Sequence, residues 1–230
     1  NPFISPGVWK SCGECSDIPD GAEVYAGLDL SARTDLTALV LIARVGDKWR
    51  VQPHFWTPEN GLIDRAKRDR SPYDVWVNQG FMRTTPGATV DYEHVAHDIL
   101  EILEPYNVQS IAFDRWRIDI LRKSFDNMGV QLPLVECGQG FKDMSPAIDA
   151  VESELLNGRV AHGNHPVLTM CAANAVIARD PAGNRKLEKS KSTGRIDGMV
   201  AMAMAFFAAT SAAPDDSDSF DDFIRNPIGA

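Results

Sequence analysis

The stretch EVYAGLDLSARTDLTALVLIARVGDKWRVQPHFW, residues 23–56, decides the fold because it predicts three consecutive strands. Residues 23–31 and 48–56 have the β-rich, apolar character of strands, and residues 37–46 form a continuous apolar run typical of a buried strand. The short VGDK segment between the second and third strands is typical of a hairpin turn. This part of the chain therefore predicts an antiparallel meander.

Downstream of the meander, helical and strand patterns alternate. Asp91 is expected to cap the first of these helices, and Ser145 with Pro146 to begin a later one. The predicted order is helix 91–107, strand 108–115, helix 118–130, strand 132–139, helix 145–158, a segment 165–180 that is helical at least at its start, and helix 192–212. Residues 185–191 are expected to pair with the residues before a turn at 180–184. Alternation of this kind adds parallel strands beside the meander. We therefore predict an α/β fold: a mixed central sheet of about five or more strands, with helices on both faces.

Composition limits the classes of function. The chain has 230 residues, 44% of them hydrophobic, which is enough to bury a sizeable core. Its net charge of −9 argues, taken alone, against a nucleic acid partner. However, the C-terminal segment 213–230 carries five Asp and one Arg and so accounts for four of the nine net negative charges. No apolar run is long enough to predict a membrane span, and the residues at the start of the sequence do not lead us to expect an export signal.

The chain divides into three predicted regions. Residues 1–22 are rich in Pro, Gly, Ser and Cys and are expected to be a linker or arm. Residues 23–212 form the predicted domain, and residues 213–230 an acidic tail expected to be disordered. The absence of an initiator Met leads us to expect that the chain begins inside a longer polypeptide.

Three carboxylates occupy unusual positions. Asp29 lies in the first strand pattern, Asp114 ends the fourth, and Asp197 opens the last helix, each flanked by apolar residues. A buried carboxylate needs a cation, a proton or hydrogen bonds. The first and fourth strands are neighbours in the predicted sheet, and a helix packed across it brings Asp197 to the same point. Three converging carboxylates are typical ligands of two Mg²⁺ or Mn²⁺ ions that cleave phosphodiesters.

Each acid also has a simpler explanation. Asp29 can form a turn at a strand end, Asp114 can pair with Arg115, and Asp197 can stabilise the first turn of its helix by about 0.3–1 kcal/mol. Taken singly, each of these interpretations is favoured. Their joint occurrence in this order of elements favours the metal site.

The segments GLDLSARTDLTALVLI, IAFDRW and KSKSTGRIDGMVAMAMA together resemble the nuclease domain of tailed-phage terminase large subunits. The resemblance covers residues 1–212 and implies an RNase H-like fold and cleavage of double-stranded DNA during genome packaging, with two Mg²⁺ or Mn²⁺ ions. It implies that Asp29, Asp114 and Asp197 are the catalytic, metal-binding triad, with Asp35 as a possible accessory acid.

The resemblance also implies partners: double-stranded DNA and, in the full-length protein, an ATPase domain, a small terminase subunit and a portal, in the host cytoplasm. The phosphate-binding motif of P-loop ATPases is absent here, so we expect the nuclease domain without its motor. Two alternatives stay open. One is another RNase H-like nuclease of the junction-resolvase or transposase type, and the other is a non-catalytic module that docks on a portal or capsid.

The basic run at 184–195 precedes Asp197 and is the best candidate for phosphate contacts. An ordinary solvated loop is the alternative. The predicted DNA-binding residues are Arg33, Arg185, Lys186, Lys189, Lys191 and Arg195.

Other candidates are weaker. Cys12 and Cys15 form a C-x-x-C pair without two further nearby ligands, so incidental thiols are favoured over zinc. His94 with His97 can bind metal on a helix, but their neighbours suggest a solvated face. The pair at 162 and 165 is expected in a solvated turn, and the Trp at 116 is expected to pack rather than stack on DNA.

Overall fold

The expected meander is present, in a computed structural model that describes residues 2–115 and 118–212. The strands of the main sheet are β1 (Glu23–Asp29), β2 (Thr37–Val45), β3 (Lys48–Pro58), β4 (Arg83–Thr85), β5 (Asn107–Phe113), β6 (Leu134–Glu136) and β7 (Val160–Ala161). Strands β1, β2 and β3 pair antiparallel, while β5 joins β1 and β6 joins β5 in parallel. The mixed sheet is therefore confirmed.

Two short strands extend the sheet to seven, in the order β4-β3-β2-β1-β5-β6 with β7 beside β3. Both β4 and β7 run parallel to β3. A separate hairpin pairs β8 (Ile177–Arg179) with β9 (Arg185–Leu187), as expected around the turn at 180–184. The helices are α1 (Pro6–Ser11), α2 (Leu62–Asp69), α3 (Tyr73–Asn78), α4 (Tyr92–Leu103), α5 (Ile118–Asn127), α6 (Phe141–Leu156), α7 (Pro166–Asn174) and α8 (Asp197–Ala212).

The continuous apolar run of β2 is explained by burial on both faces of the sheet. Side chains alternate along a strand, so Val40 and Ile42 face one layer while Leu39 and Leu41 face the other. The first layer contains α1, α6, α7 and α8, and the second contains α4 and α5. Helices on both faces are thus confirmed, with β2 at the centre of the core.

Helix α8 lies across the first face and packs mainly on β1, with further contacts to β2, β5, α6 and α7. Gly27 in β1 makes this approach possible. A Cβ atom at that position would stand 1.9 Å from the Ala201 carbonyl oxygen and 2.5 Å from the Ala205 backbone nitrogen. The strand and the helix therefore pack backbone against backbone, with small residues on both sides.

Several helix boundaries differ from the predicted ones; the last helix, predicted from residue 192, begins at Asp197. Helix α6 begins at Phe141, four residues before Ser145, so Pro146 lies inside the helix rather than at its first turn. Gly140 is the N-cap residue, and the Asp143 carboxylate accepts a hydrogen bond from the Gly138 backbone N–H at 2.8 Å. The segment 165–180, expected to be helical at least at its start, is helical as far as Asn174, and the chain then turns into strand β8.

The amino-terminal residues pack on the core. Phe3, Ile4, Trp9 and Cys12 are buried in the same apolar layer as α6 and α7. Within this region, α1 starts at Pro6 with Ser5 as its cap. The Trp at 116 and the acidic segment 213–230 lie outside the described residues. Across the described ranges, no helix is both long and apolar enough to cross a membrane.

Candidate metal centre

Asp29 and Asp114 stand side by side at the carboxyl ends of two neighbouring parallel strands. In the β1–β5 pairing, Leu28 is opposite Phe113; Asp29 is the last residue of β1, and Asp114 directly follows β5. Asp29 is only 3% exposed, and Asp114 is half-buried. The pairing expected from the sequence therefore places these two acids next to each other.

Asp197 reaches the same region because it is the first residue of α8. The apolar side chains that follow it hold the helix against β1, where Gly27 allows close contact. Asp197 is 5% exposed and shares a direct partner with Asp29. Asp197 follows Asp29 by 168 residues in the sequence. Long-range packing has thus brought the start of α8 next to the end of β1.

That shared partner is Lys189. Its ammonium nitrogen, Nζ, lies 2.7 Å from Asp29 Oδ2 and 2.9 Å from Asp197 Oδ1, so it donates to both carboxylates. The residue begins a single 3₁₀ turn, Lys189–Lys191, between β9 and α8. A lysine of the predicted phosphate-binding run 184–195 therefore lies at the site, but it contacts the two carboxylates themselves.

The electrostatics of Asp29 reflect this crowding. Burial is the largest influence on its pKa and raises it; Lys189 lowers it, and Asp197 and Asp114 raise it, so that the pKa of Asp29 lies at about 6. Burial lowers the pKa of Lys189, but attraction to Asp29 and Asp197 outweighs it, so the net shift is upward. Asp197 and Asp114 are therefore both within electrostatic reach of Asp29.

The donor set fits a hard divalent cation, because Asp29, Asp114 and Asp197 supply carboxylate oxygens and two of them are buried. As they stand in the described ranges, no three His, Cys, Asp or Glu side chains are grouped closely enough to hold a metal ion. The Lys189 ammonium already lies between two of the acids. The three carboxylates therefore fit a divalent cation in chemistry and charge, and they would have to move closer together to bind it.

Sequence reasoning missed the loop that follows β6. The Gln139 side-chain amide approaches Asp29 Oδ1 at 3.5 Å, and the loop lines an open cavity of about 430 Å³ beside Asp114. The other lining residues are Arg115, Glu136, Gly138, Gly140, Lys142 and Asp143. A signal was available, because the carboxyl ends of parallel strands meet at one edge of a sheet, so the loop after β6 is expected near the loop after β5.

The structure places the predicted DNA-binding residues of the hairpin in ion pairs. Arg185 pairs with Asp149 and with Glu152, the latter at 2.8 Å, and its side chain is only 12% exposed. Lys186 pairs with Glu188 at 3.6 Å. The Arg185 pairs fasten the β8–β9 hairpin to α6, whereas the partner of Lys186 directly follows β9.

Arg195 is also engaged within the chain. It contacts Asp35 at 2.6 Å and Asp69 at 3.1 Å, so it links the β1–β2 connection to α2. Asp35, the predicted accessory acid, thus has an arginine partner. Arg33 and Lys191 are exposed at the surface.

The remaining candidates have structural explanations. Cys12 is buried and its thiol lies 3.4 Å from the Leu155 carbonyl oxygen, whereas Cys15 is exposed. His94 lies 3.9 Å from Asp98 on one face of α4. The expectation of a solvated turn at His162 was wrong: the ring is fully buried, and its Nε2 lies 2.8 Å from the carbonyl oxygen of a tryptophan in α1. Sequence spacing alone does not reveal that the amino-terminal segment covers this ring.

A family model described as terminase large subunit, endonuclease domain, matches residues 7–212. The chain belongs to this family. It is 59% identical over 229 residues to the terminase large subunit of Enterobacteria phage HK97, covering 99% of this chain and 45% of that protein. The chain thus spans less than half the length of this curated relative.

Solved structures agree with this membership. The crystal structure of the HK97 bacteriophage large terminase superimposes with a TM-score of 0.87 at 62% identity, covering 90% of this chain and 43% of that one. The large terminase nuclease from thermophilic phage G20c with bound magnesium superimposes with a TM-score of 0.57 at 12% identity, covering 90% and 96% of the two chains. The expected RNase H-like fold of the family is therefore confirmed.

Proposed function

We propose that this domain is a divalent-metal-dependent endonuclease that cleaves double-stranded DNA during viral genome packaging. The observation that carries the proposal is that Asp29 and Asp197 both contact the ammonium group of Lys189, with Asp114 beside Asp29 at the adjacent strand end. Family membership supports the nuclease assignment, and the magnesium bound to the G20c nuclease supports the choice of metal.

In this proposal, Asp29, Asp114 and Asp197 would hold two Mg²⁺ or Mn²⁺ ions, which would supply an activated water and stabilisation of the leaving oxygen of a phosphodiester. The chain's own contribution is to fix the three carboxylates on rigid elements, two strand ends and a helix start, and to keep two of them largely out of bulk water. The carboxylates act as ligands, so no covalent enzyme intermediate is formed.

The basic surface near the site completes the proposal. Arg33 and Lys191 are exposed and are proposed to contact DNA phosphates. Arg185, Lys186 and Arg195 hold the surrounding loops through their ion pairs, and their proposed part in DNA binding is to position these loops beside the site. In the full-length protein, we propose an ATPase domain, the small terminase subunit and the portal as partners, in the host cytoplasm.

The test is plasmid cleavage by an Asp114→Ala variant in Mn²⁺. We expect more than about a hundredfold loss of cleavage, because a direct metal ligand should matter at least as much as the residues that merely orient ligands. Asp119→Ala is the matched control, because the Asp119 side chain is 89% exposed on α5, and it should cleave like the parent. Circular dichroism checks that both variants are folded.

Three results would contradict the proposal. Undiminished cleavage by Asp114→Ala would remove the assigned ligand. A strong preference of the parent for branched over linear duplex DNA would instead indicate an enzyme of the junction-resolvase type. Absence of both cleavage and metal binding in the parent would indicate a non-catalytic docking module.

A further inference from the structure

The lysine in the candidate metal centre carries an inference beyond the nuclease assignment, on which it rests. We propose that Lys189 is an internal counter-ion that occupies the site when no metal is bound, and that a divalent ion must displace its ammonium group to bind. Lys189 would then set how tightly the enzyme holds its metal.

Charge and burial explain why the site needs such a group. The side chains of Asp29 and Asp197 are only 5% and 7% exposed, and both approach the Lys189 ammonium within 3 Å, at 2.7 and 2.9 Å. Within the described residues, Lys189 is the only basic side chain in a direct ion pair with either acid. Two carboxylates held this close repel each other, and one ammonium offsets only one of the two charges. The site therefore keeps a net negative charge that a divalent ion offsets more fully.

The position of the ammonium makes displacement the necessary route. It bridges one oxygen of each carboxylate, which is the place that a shared cation would take between them. An ammonium and a metal ion cannot both lie there, because like charges at such a short distance repel strongly. Metal binding and the Lys189 contact therefore compete.

The local structure shows which part of the segment can move. The Glu188 carboxylate accepts hydrogen bonds from the backbone N–H and the hydroxyl of Ser190, and the Ser192 hydroxyl donates to the Glu188 carbonyl at 2.8 Å. These contacts hold the backbone of the 3₁₀ turn. The Lys189 side chain is 46% exposed, so its flexible stem can withdraw into solvent while the turn stays in place.

The experiment compares the metal affinity of Lys189→Met with that of the parent by calorimetry, using Mn²⁺ alone, at pH 8 and without DNA. Methionine keeps most of the stem length and removes the competing charge. We expect at least about tenfold tighter Mn²⁺ binding, because a pair of charge-assisted hydrogen bonds no longer has to be broken. Lys123→Met is the matched control: it makes the same change at an exposed position of α5, on the other face of the sheet from α8, and should bind Mn²⁺ like the parent.

Thermal unfolding supplies a second readout. In EDTA, Lys189→Met should melt below the parent, because two buried carboxylates have lost their counter-ion. At saturating Mn²⁺ the difference should largely disappear. Lys189→Arg restores a cation and should return both the weaker metal affinity and the melting temperature in EDTA towards the parent values. Lys189→Gln serves the same comparison if the Met variant does not fold.

Equal or weaker Mn²⁺ binding by Lys189→Met, with clear binding by the parent, would overturn the inference and leave the proposed nuclease function standing. A loss of cleavage with unchanged metal affinity would also overturn it, since Lys189 would then act on DNA and not on the metal. If neither the parent nor the variant bound Mn²⁺, the proposed function itself would fail, and the inference with it.

Discussion

Replacing Gly27 by alanine should damage both stability and the candidate site. The added Cβ would stand 1.9 Å from the Ala201 carbonyl oxygen and 2.5 Å from the Ala205 nitrogen, both backbone atoms of α8. Since carbon and oxygen normally approach only to about 3.3 Å, the helix must move away by about 1 Å or more. Overpacking of this kind costs about 3 kcal/mol, the upper end of its usual range, because rigid backbone atoms have to yield.

The consequence extends to the site because β1 carries Asp29 and α8 carries Asp197. For a domain of this size, a loss of about 3 kcal/mol lowers the melting temperature by about 6–12 °C. Displacement of α8 should also separate the two carboxylates and weaken Mn²⁺ binding. Differential scanning calorimetry measures the first effect and titration calorimetry the second.

Gly7→Ala is the matched control, because Gly7 lies in α1 and a methyl group added there would have no neighbouring atom within 4 Å. That change should be neutral or raise stability by up to about 1 kcal/mol, as alanine favours helix. A melting temperature of Gly27→Ala within about 2 °C of the parent would refute the argument that α8 rests directly on the β1 backbone.

Two further predictions concern pH. Burial lowers the pKa of His165 to about 4, below its ordinary value of 6.5. As the pH drops, the unfolded chain therefore binds the proton before the folded chain does. The free energy of unfolding should fall by up to about 3 kcal/mol between pH 6.5 and pH 4. Urea unfolding of His165→Gln should show a shallower fall over that range; an unchanged slope would contradict this. Burial raises the pKa of Asp69, but hydrogen bonds from Arg68 and Arg195 outweigh burial, and the pKa is lowered to about 2. The stabilisation of the fold by ionised Asp69 is therefore complete above pH 4 and is lost towards pH 2. Asp69→Asn should cost about 1–3 kcal/mol at pH 7, and a difference that vanished already at pH 5 would exclude this ion pair as the cause.

The sheet could be predicted well because its signals are local. The apolar run of β2, the alternation of helices and strands after it and the cap at Asp91 are each visible in a short window, and the Asp91 carboxylate does accept hydrogen bonds from two backbone N–H groups of α4. The start of α6 could not be predicted in the same way. Ser145 followed by Pro146 has the local pattern of a helix start, but the helix begins earlier, where Asp143 fixes the preceding loop.

The site was predictable in part for a related reason. Strand order follows from chain topology, so the neighbouring positions of Asp29 and Asp114 could be inferred before any coordinates were known. The roles of the basic residues could not, because the same lysine or arginine pattern is compatible with solvent, with phosphate or with an internal carboxylate. Arg195 pairs with acids from two distant segments, and only the folded chain brings these together.

The sequence by itself determined the fold class, the family resemblance and the three acidic positions, since these depend on hydrophobic periodicity and on the order of elements along the chain. The tertiary structure decided that α8 packs directly on Gly27 and that the ammonium of Lys189 joins Asp29 to Asp197. The physical reason is that β1 contacts segments about 160 residues or more away in the sequence. The distances in these contacts are fixed by packing of the whole core and not by any local pattern.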